Sequence, residues 1–185
     1  MYLIVGLGNP ESDYANTRHN MGFKVINELA KQYEVEISRK KFNSEYGNAV
    51  IEGQKVLLVK PQTFMNASGE AVIEFANFYK VELDNIIIIY DDVDIDTGNI
   101  RIRKSGSPGS HNGMKSVVHF LKSENFPRIR VGIGKPDENT DIIEYVIGSI
   151  PEEEKEQLQQ GIKKAKNAIV ELLKNGIDSA MNQFN

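Results

Sequence analysis

Ile86-Ile87-Ile88-Ile89-Tyr90-Asp91-Asp92 runs four β-branched residues straight into two carboxylates. Such a run, with no polar residue on either alternate position, predicts a central strand buried on both faces. Asp91 and Asp92 then stand at its carboxyl end. In open α/β sheets the ligand crevice lies beyond such strand ends.

The same logic extends outward. Residues 1–6 form a short apolar run, a second buried strand. Phe23, Ile26, Leu29, Ala30 and Tyr33 recur at helical spacing and predict a helix over 20–33. Residues 46–51 and 55–60 read as strands joined by a turn at Glu52-Gly53, a hairpin signal. Val72, Phe75, Ala76 and Tyr79 mark a helix, as do Met114, Val117, Val118 and Leu121. Residues 99–103 and 128–133 alternate with the period of half-buried strands. From Pro151 a long helix is expected, with Glu152, Glu153 and Glu154 at the positive end of its dipole and Gly176 as its terminator. Strands alternating with helices, plus one hairpin, predict an α/β fold: a single domain over residues 1–185, with a mixed β-sheet sandwiched between helices.

Composition narrows the function. Apolar residues at 40% and charged residues at 26% are the balance of an ordinary globular protein. No cysteine is present, which removes disulfides, thiol nucleophiles and thiolate metal sites. No apolar run approaches the ~20 residues needed to span a bilayer. The N-terminus lacks a basic n-region and a long h-region, so the cytoplasm is the expected compartment. With a formal net charge of −4, any contact with nucleic acid needs a local basic patch. No exposed apolar stripe is evident, and a monomer is expected.

Several motifs surround the predicted strand ends. Gly6-Leu7-Gly8-Asn9-Pro10 follows the first strand, but the third position of a dinucleotide fingerprint is Glu11, so no nucleotide cofactor is expected. The stretch reads either as a plain tight strand-to-loop turn or as a turn that presents the Asn9 amide to a cleft. In Thr17-Arg18-His19-Asn20, Asn20 is a candidate helix cap, and His19 alone reads as a structural histidine. Its company of asparagines and a strand-end Asp91 changes that reading. Lys60 to Gly69 leads from a strand into a helix, with Asn66 or Ser68 as candidate caps. Gly106 to Ser116 is a loop opening a helix, with Asn or Ser capping; His119 is read as exposed. Asn side chains suit a neutral peptide backbone, because they donate and accept without adding charge. Arg101 and Arg103 share one strand face, as do Arg128 and Arg130; if the strands are neighbours, four guanidiniums make a phosphate-binding surface. Three histidines without i, i+4 spacing predict no metal site, and no Gly-x-Ser-x-Gly elbow occurs.

Taken together, Gly6–Pro10, Tyr14–Gly22, Lys60–Gly69, Gly106–Ser116 and Arg128–Pro136 resemble the bacterial-type peptidyl-tRNA hydrolases in order and spacing. The resemblance covers essentially the whole chain. It implies a metal-independent hydrolase that needs no cofactor. Such an enzyme cleaves the ester of peptidyl-tRNA and so recycles tRNA from stalled translation. It makes His19 the catalytic base, Asp91 its partner, and Asn9 a further catalytic residue. Tyr14, Phe64, Asn66 and Asn112 become substrate contacts, Arg103 and Arg130 contacts for the tRNA acceptor-end phosphate, and residues about 137–150 a lid; Lys104, close in sequence to the same strand end, is added to the expected phosphate contacts. The sequence departs from the family pattern at Tyr90, where many relatives carry His, and at Pro108 and Ser110, which replace loop glycines. Two rivals make different demands. A non-catalytic RNA-binding protein on this fold would bind tRNA without cleaving it. A nucleoside or nucleotide enzyme would need a nucleobase pocket, for which no sequence signal is present.

Overall fold

The computed structural model describes residues 1–185 and contains one seven-stranded sheet. The strands are β1 (Tyr2–Gly6), β2 (Arg39–Lys41), β3 (Ser44–Ile51), β4 (Gln54–Pro61), β5 (Ile86–Asp92), β6 (Ile100–Arg103) and β7 (Arg128–Gly132). Their spatial order is β2-β3-β4-β1-β5-β7-β6. The inner pairs β4–β1, β1–β5 and β5–β7 are parallel, and the outer pairs are antiparallel. The sheet is therefore mixed, as the hairpin required. Glu52 and Gly53 both adopt positive φ (50° and 77°), the geometry a two-residue hairpin turn needs to match strand twist.

The Ile86–Ile89 run lies between β1 and β7, and all four side chains are fully buried. Ile87 and Ile89 enter a core shared with α1 (Met21–Gln32), α5 (Lys155–Asn175) and α6 (Ile177–Phe184). Ile86 and Ile88 enter a second core under α2 (Ser68–Tyr79) and α3 (Asn112–Leu121). A strand with helices on both faces has no solvent side, which is why this segment shows no polar alternation.

Three elements differ from expectation. β2 is a three-residue basic strand on the sheet edge, too short and too exposed to leave an apolar pattern. The C-terminal helix begins after a 3₁₀ turn at Glu152–Glu154 and stops at Gly176 (φ 94°), but the chain then re-enters a helix, α6. A six-residue helix, α4 (Ile142–Ile147), forms within the expected lid.

The start of α1 positions the site. A Cβ on Gly22 would lie 2.4 Å from the Leu7 nitrogen and 2.5 Å from the Ile89 oxygen; one on Gly6 would lie 2.2 Å from the Gly22 oxygen. Only glycine lets the helix start sit directly on the ends of β1 and β5. This contact brings residues 18–20 over Asp91.

Candidate active site

Asn9 leaves β1 into a turn and is held from two directions. Its Oδ1 accepts the Met65 backbone N–H at 2.9 Å. Its backbone is bracketed by the Asn20 amide, whose Oδ1 accepts from Asn9 N–H at 2.8 Å and whose Nδ2 donates to Asn9 O at 3.0 Å. Asn20 is thus not a helix cap; α1 has no side-chain cap at all. With Oδ1 committed to Met65, the Asn9 NH₂ group stays available in the cleft that Asn9 lines. The arrangement presents a fixed neutral donor.

His19 sits in a 3₁₀ turn (Arg18–Asn20) immediately before α1, and its Nδ1 lies 3.0 and 2.9 Å from the two Asp91 oxygens. A second imidazole reaches the same carboxylate: His111 Nε2 is 2.9 Å from Asp91 Oδ1. His111 also caps α3, its Nδ1 accepting the Met114 N–H at 3.1 Å. That bond forces the proton onto Nε2, which then donates to Asp91. Asp91 therefore accepts from both rings. His19 carries its proton on Nδ1, leaving Nε2 without a protein partner on the cleft side. His111 is the functional neighbour the sequence reading missed; the expected Asn or Ser cap of this helix is instead a histidine.

The electrostatics follow from burial and charge together. Burial pushes the Asp91 carboxyl up, but the charges and hydrogen bonds of His19 and His111 outweigh it and hold the group well below the usual carboxylate range. Burial likewise pushes the His19 imidazole down, yet Asp91's charge and hydrogen bond prevail, and the net shift is upward. A buried anion with two N–H donors favours an imidazolium beside it. Tyr90 packs at 4.9 Å, edge-on to the His111 ring, and is itself buried in the α2/α3 core.

The cleft has a volume of about 610 Å³ and gathers Asn9, His19, Phe64, Asn66, Asp91, Asn112, Arg103 and Arg130 from the expected set. Asn66 and Asn112 are both exposed; neither Asn66 nor Ser68 caps α2, because Ser68 Oγ donates to Met65 O. One wall is apolar: Phe64 is 55% exposed, and Ile142 and Ile143 of α4 are 45% and 59% exposed. Two residues of the expected set fall elsewhere. Tyr14 lies in a 3₁₀ turn (Ser12–Tyr14) outside the cleft lining, and Lys104 pairs with Asp178 of α6 at 2.7 Å. Lys104 follows the edge strand onto the α6 side, which removes it from the cleft mouth.

The expected four-guanidinium surface needs correction. β6 and β7 are neighbours, with Arg101 opposite Arg130 and Arg103 opposite Arg128. Arg128, however, is only 1% exposed. Its guanidinium donates to Gly106 O and Glu124 O at 2.6 Å each and to Phe126 O, and lies 4.3 Å from the Phe126 ring centroid. It holds the 105–110 loop against the sheet and has no exposed edge for a phosphate. Arg101 and Arg103 are exposed; Arg130 is half-buried, with Nε on Asp92 at 2.7 Å and both Nη atoms outside that bond. Three arginines of that face, Arg101, Arg103 and Arg130, therefore keep solvent access, and of these Arg103 and Arg130 line the cleft. Replacing Arg128 by methionine should abandon the buried Phe126 carbonyl, at about 1–3 kcal/mol, and also break the part-buried bonds to Gly106 O and Glu124 O, which water can partly replace. Thermal unfolding should show a clear loss of stability, and an unchanged midpoint would refute this scaffold role.

Imidazole and carboxylate are also metal-ligand types, and His19, Asp91 and His111 offer ligand atoms all within 4.8 Å of one another. The hydrogen bonds of 2.9–3.0 Å already account for that spacing. A carboxylate-oriented imidazole whose second nitrogen has no protein partner, in a cleft lined by amides, has the geometry to take a proton from water.

Comparison with known proteins makes the assignment specific. Residues 3–185 match the family model described as Peptidyl-tRNA hydrolase. The chain is 50% identical over 185 residues to the peptidyl-tRNA hydrolase of Caldanaerobacter subterraneus subsp. tengcongensis, covering 100% of both chains. It is 51% identical to that of Clostridium botulinum strain Alaska E43, covering 100% of this chain and 96% of the relative. The crystal structure of Acinetobacter baumannii peptidyl-tRNA hydrolase superposes with a TM-score of 0.92 at 39% identity, over 99% of this chain and 93% of that one. The chain belongs to the peptidyl-tRNA hydrolase family. A Vibrio fischeri uridine phosphorylase also aligns, with a TM-score of 0.53 at 11% identity over 93% of this chain and 90% of that one. That likeness extends to the fold alone.

Proposed function

We propose that this protein hydrolyses the ester between the peptide and the terminal ribose of peptidyl-tRNA, with His19 as general base. The observation that carries the mechanism is the contact of His19 Nδ1 with both Asp91 oxygens, at 3.0 and 2.9 Å; a carboxylate can only accept there, which puts the proton on Nδ1 and leaves Nε2 as a proton acceptor. Nε2 takes a proton from water as its oxygen attacks the ester carbonyl. Asp91 stabilises the imidazolium that forms. The Asn9 NH₂ group donates to the developing oxyanion, a role worth about 2.7–4 kcal/mol per donor in comparable sites. Collapse expels the ribose oxygen, which recovers the proton from His19. An ester needs no stronger nucleophile than this activated water, in keeping with a site built from one base and neutral amides.

Asn66 and Asn112 hold the peptide backbone, and Phe64 with the α4 isoleucines receives its side chains. Arg103 and Arg130 meet the acceptor-end phosphate; Asp92 orients Arg130 by its Nε and leaves the Nη donors outward. No helix is long and apolar enough to cross a membrane. We assign the chain to the cytoplasm as a monomer, acting in recycling of tRNA from stalled translation.

The reading is tested by release of peptide from N-acylated aminoacyl-tRNA, compared with free aminoacyl-tRNA. Preferential cleavage of the acylated form is expected; binding of tRNA without cleavage would establish the non-catalytic alternative. Replacing Arg103 or Arg130 by glutamine should raise KM for whole tRNA substrates. It should also lower the slope of log affinity against log salt by roughly 0.7–0.9 per lost contact. An unaltered slope would remove these arginines from the phosphate site.

A further inference from the structure

Arg18 directly precedes the proposed base, yet its guanidinium is used elsewhere. The residue is 6% exposed. Nε and Nη2 both donate to Glu154 Oε2, at 3.1 and 2.7 Å. Nη1 donates to the backbone oxygen of Tyr145 at 3.1 Å, and the guanidinium carbon lies 3.9 Å from the Tyr145 ring centroid. Tyr145 belongs to α4, and its hydroxyl donates to Ile133 O at 2.7 Å. The residues beside Arg18 grip the far end of the same segment. Thr17 forms a β-bridge with Ser149, and Asn16 O accepts from Ile150 N–H at 3.2 Å.

These contacts matter because α4 cannot sustain itself. Six residues fall far below the length at which an isolated helix persists in water. Its only buried residue is Val146, and Ile142, Ile143 and Ile147 stay 39–59% exposed. What fixes α4 over the cleft is therefore tertiary docking: on residues 16–18, on Ile133 O through the Tyr145 hydroxyl, and on the core through Val146. Arg18 fills one of the carbonyls orphaned at a helix C-terminus, stacks on the adjoining ring and, through Glu154, anchors the 3₁₀ turn that follows the segment. The apolar wall of the cleft is only as well placed as this latch.

We propose that Arg18 is a positioning residue that latches α4 over the cleft and thereby sets the preference for peptidyl-tRNA whose last residues carry bulky apolar side chains. The inference rests on the hydrolase reading, which supplies the substrate. The α4 isoleucines and Phe64 together present a preformed apolar surface in the cleft; a peptide side chain buried there gains binding only while the wall is held. Unlatching should leave the chemistry at His19 in place and weaken the grip on the side chain.

Two measurements on the full chain test this. In the first, Arg18→Gln is compared with wild type on peptidyl-tRNAs ending in N-acetyl-leucine and N-acetyl-glycine. The KM ratio between the two substrates should shift roughly tenfold against leucine, the order expected when one or two methylenes lose burial, with the change in KM rather than kcat. The shift should largely vanish when Ile143→Ala is already present, since the two substitutions then act on the same wall. Tyr145→Phe, which deletes only the bond to Ile133 O, should move the ratio in the same direction by less, and serves if the arginine variant folds poorly. An unchanged substrate ratio, a uniform loss of kcat, or additive effects with Ile143→Ala would each overturn the proposal. In the second, hydrogen exchange requires no turnover. Arg18→Gln should accelerate exchange across residues 137–150 while the β1 and β5 amides stay protected. Exchange in 137–150 equal to wild type would defeat the latch whether or not the protein is a hydrolase. Failure of wild type to release peptide would defeat the hydrolase reading, and with it the substrate preference, but not the docking of α4.

Discussion

His19→Ala is expected to cut kcat by at least about 10²–10⁴-fold, the usual contribution of a positioned general base, while the protein stays folded. The structural reason for retained folding is His111. Removing one imidazole leaves Asp91 with a second N–H donor at 2.9 Å, so the buried carboxylate is not orphaned. The stability cost should stay near 1–3 kcal/mol, that of one lost polar partner. Turnover of N-acylated aminoacyl-tRNA, with circular dichroism and thermal unfolding alongside, checks both halves. Activity within tenfold of wild type would end the general-base mechanism.

The second large effect belongs to Asp91. Asp91→Asn should lower kcat on the order of 10³–10⁴-fold, comparable to the loss of the orienting carboxylate in a serine-protease triad. An amide NH₂ facing His19 Nδ1 favours the tautomer protonated on Nε2, which cannot take a proton from water. The pH profile supplies an independent sign. Because the base must be neutral, kcat/KM should rise with pH through the His19 pKa, which is raised from 6.5. The acid limb of wild type therefore inflects above that value. Without the carboxylate only burial remains, and burial lowers an imidazole pKa. Residual activity of Asp91→Asn should show its limb displaced to lower pH. A limb that stays put, or moves up, would mean that Asp91 does not set the protonation of His19.

The parts of this molecule that were legible from residues alone are those whose pattern is local. The Ile86–Ile89 run announced a strand buried on both faces, and the Glu52-Gly53 pair announced its hairpin, because each requirement is met within a few residues. Elements below that scale were silent. β2 is too short to alternate, and α4 is held by tertiary docking rather than by its own periodicity. Within the site, the family resemblance paired His19 with Asp91 and the turn after the first strand offered Asn9 to a cleft, whereas the link from His111 to Asp91 was not foreseen. Twenty positions separate those two residues, and only the meeting of α3 with the end of β5 joins them. Alternation placed Arg128 on the same face as Arg130 correctly. It gave no sign that the 105–110 loop folds over that face at one position and not the other. Tyr14 came from family resemblance and Lys104 from its place beside a basic strand end; neither lines the cleft, and Lys104 pairs with Asp178.

The double clasp of the Asn20 amide on the Asn9 main chain has a mechanical consequence. The proposed proton acceptor, His19, is the immediate sequence neighbour of one end of that clasp, and the proposed oxyanion donor, Asn9, is the residue at the other. Their spacing is consequently carried by a single planar group acting as a strut. If the cleft widens or narrows as substrate passes, both ends travel as one body, and the alignment needed for attack survives movements of the walls around it.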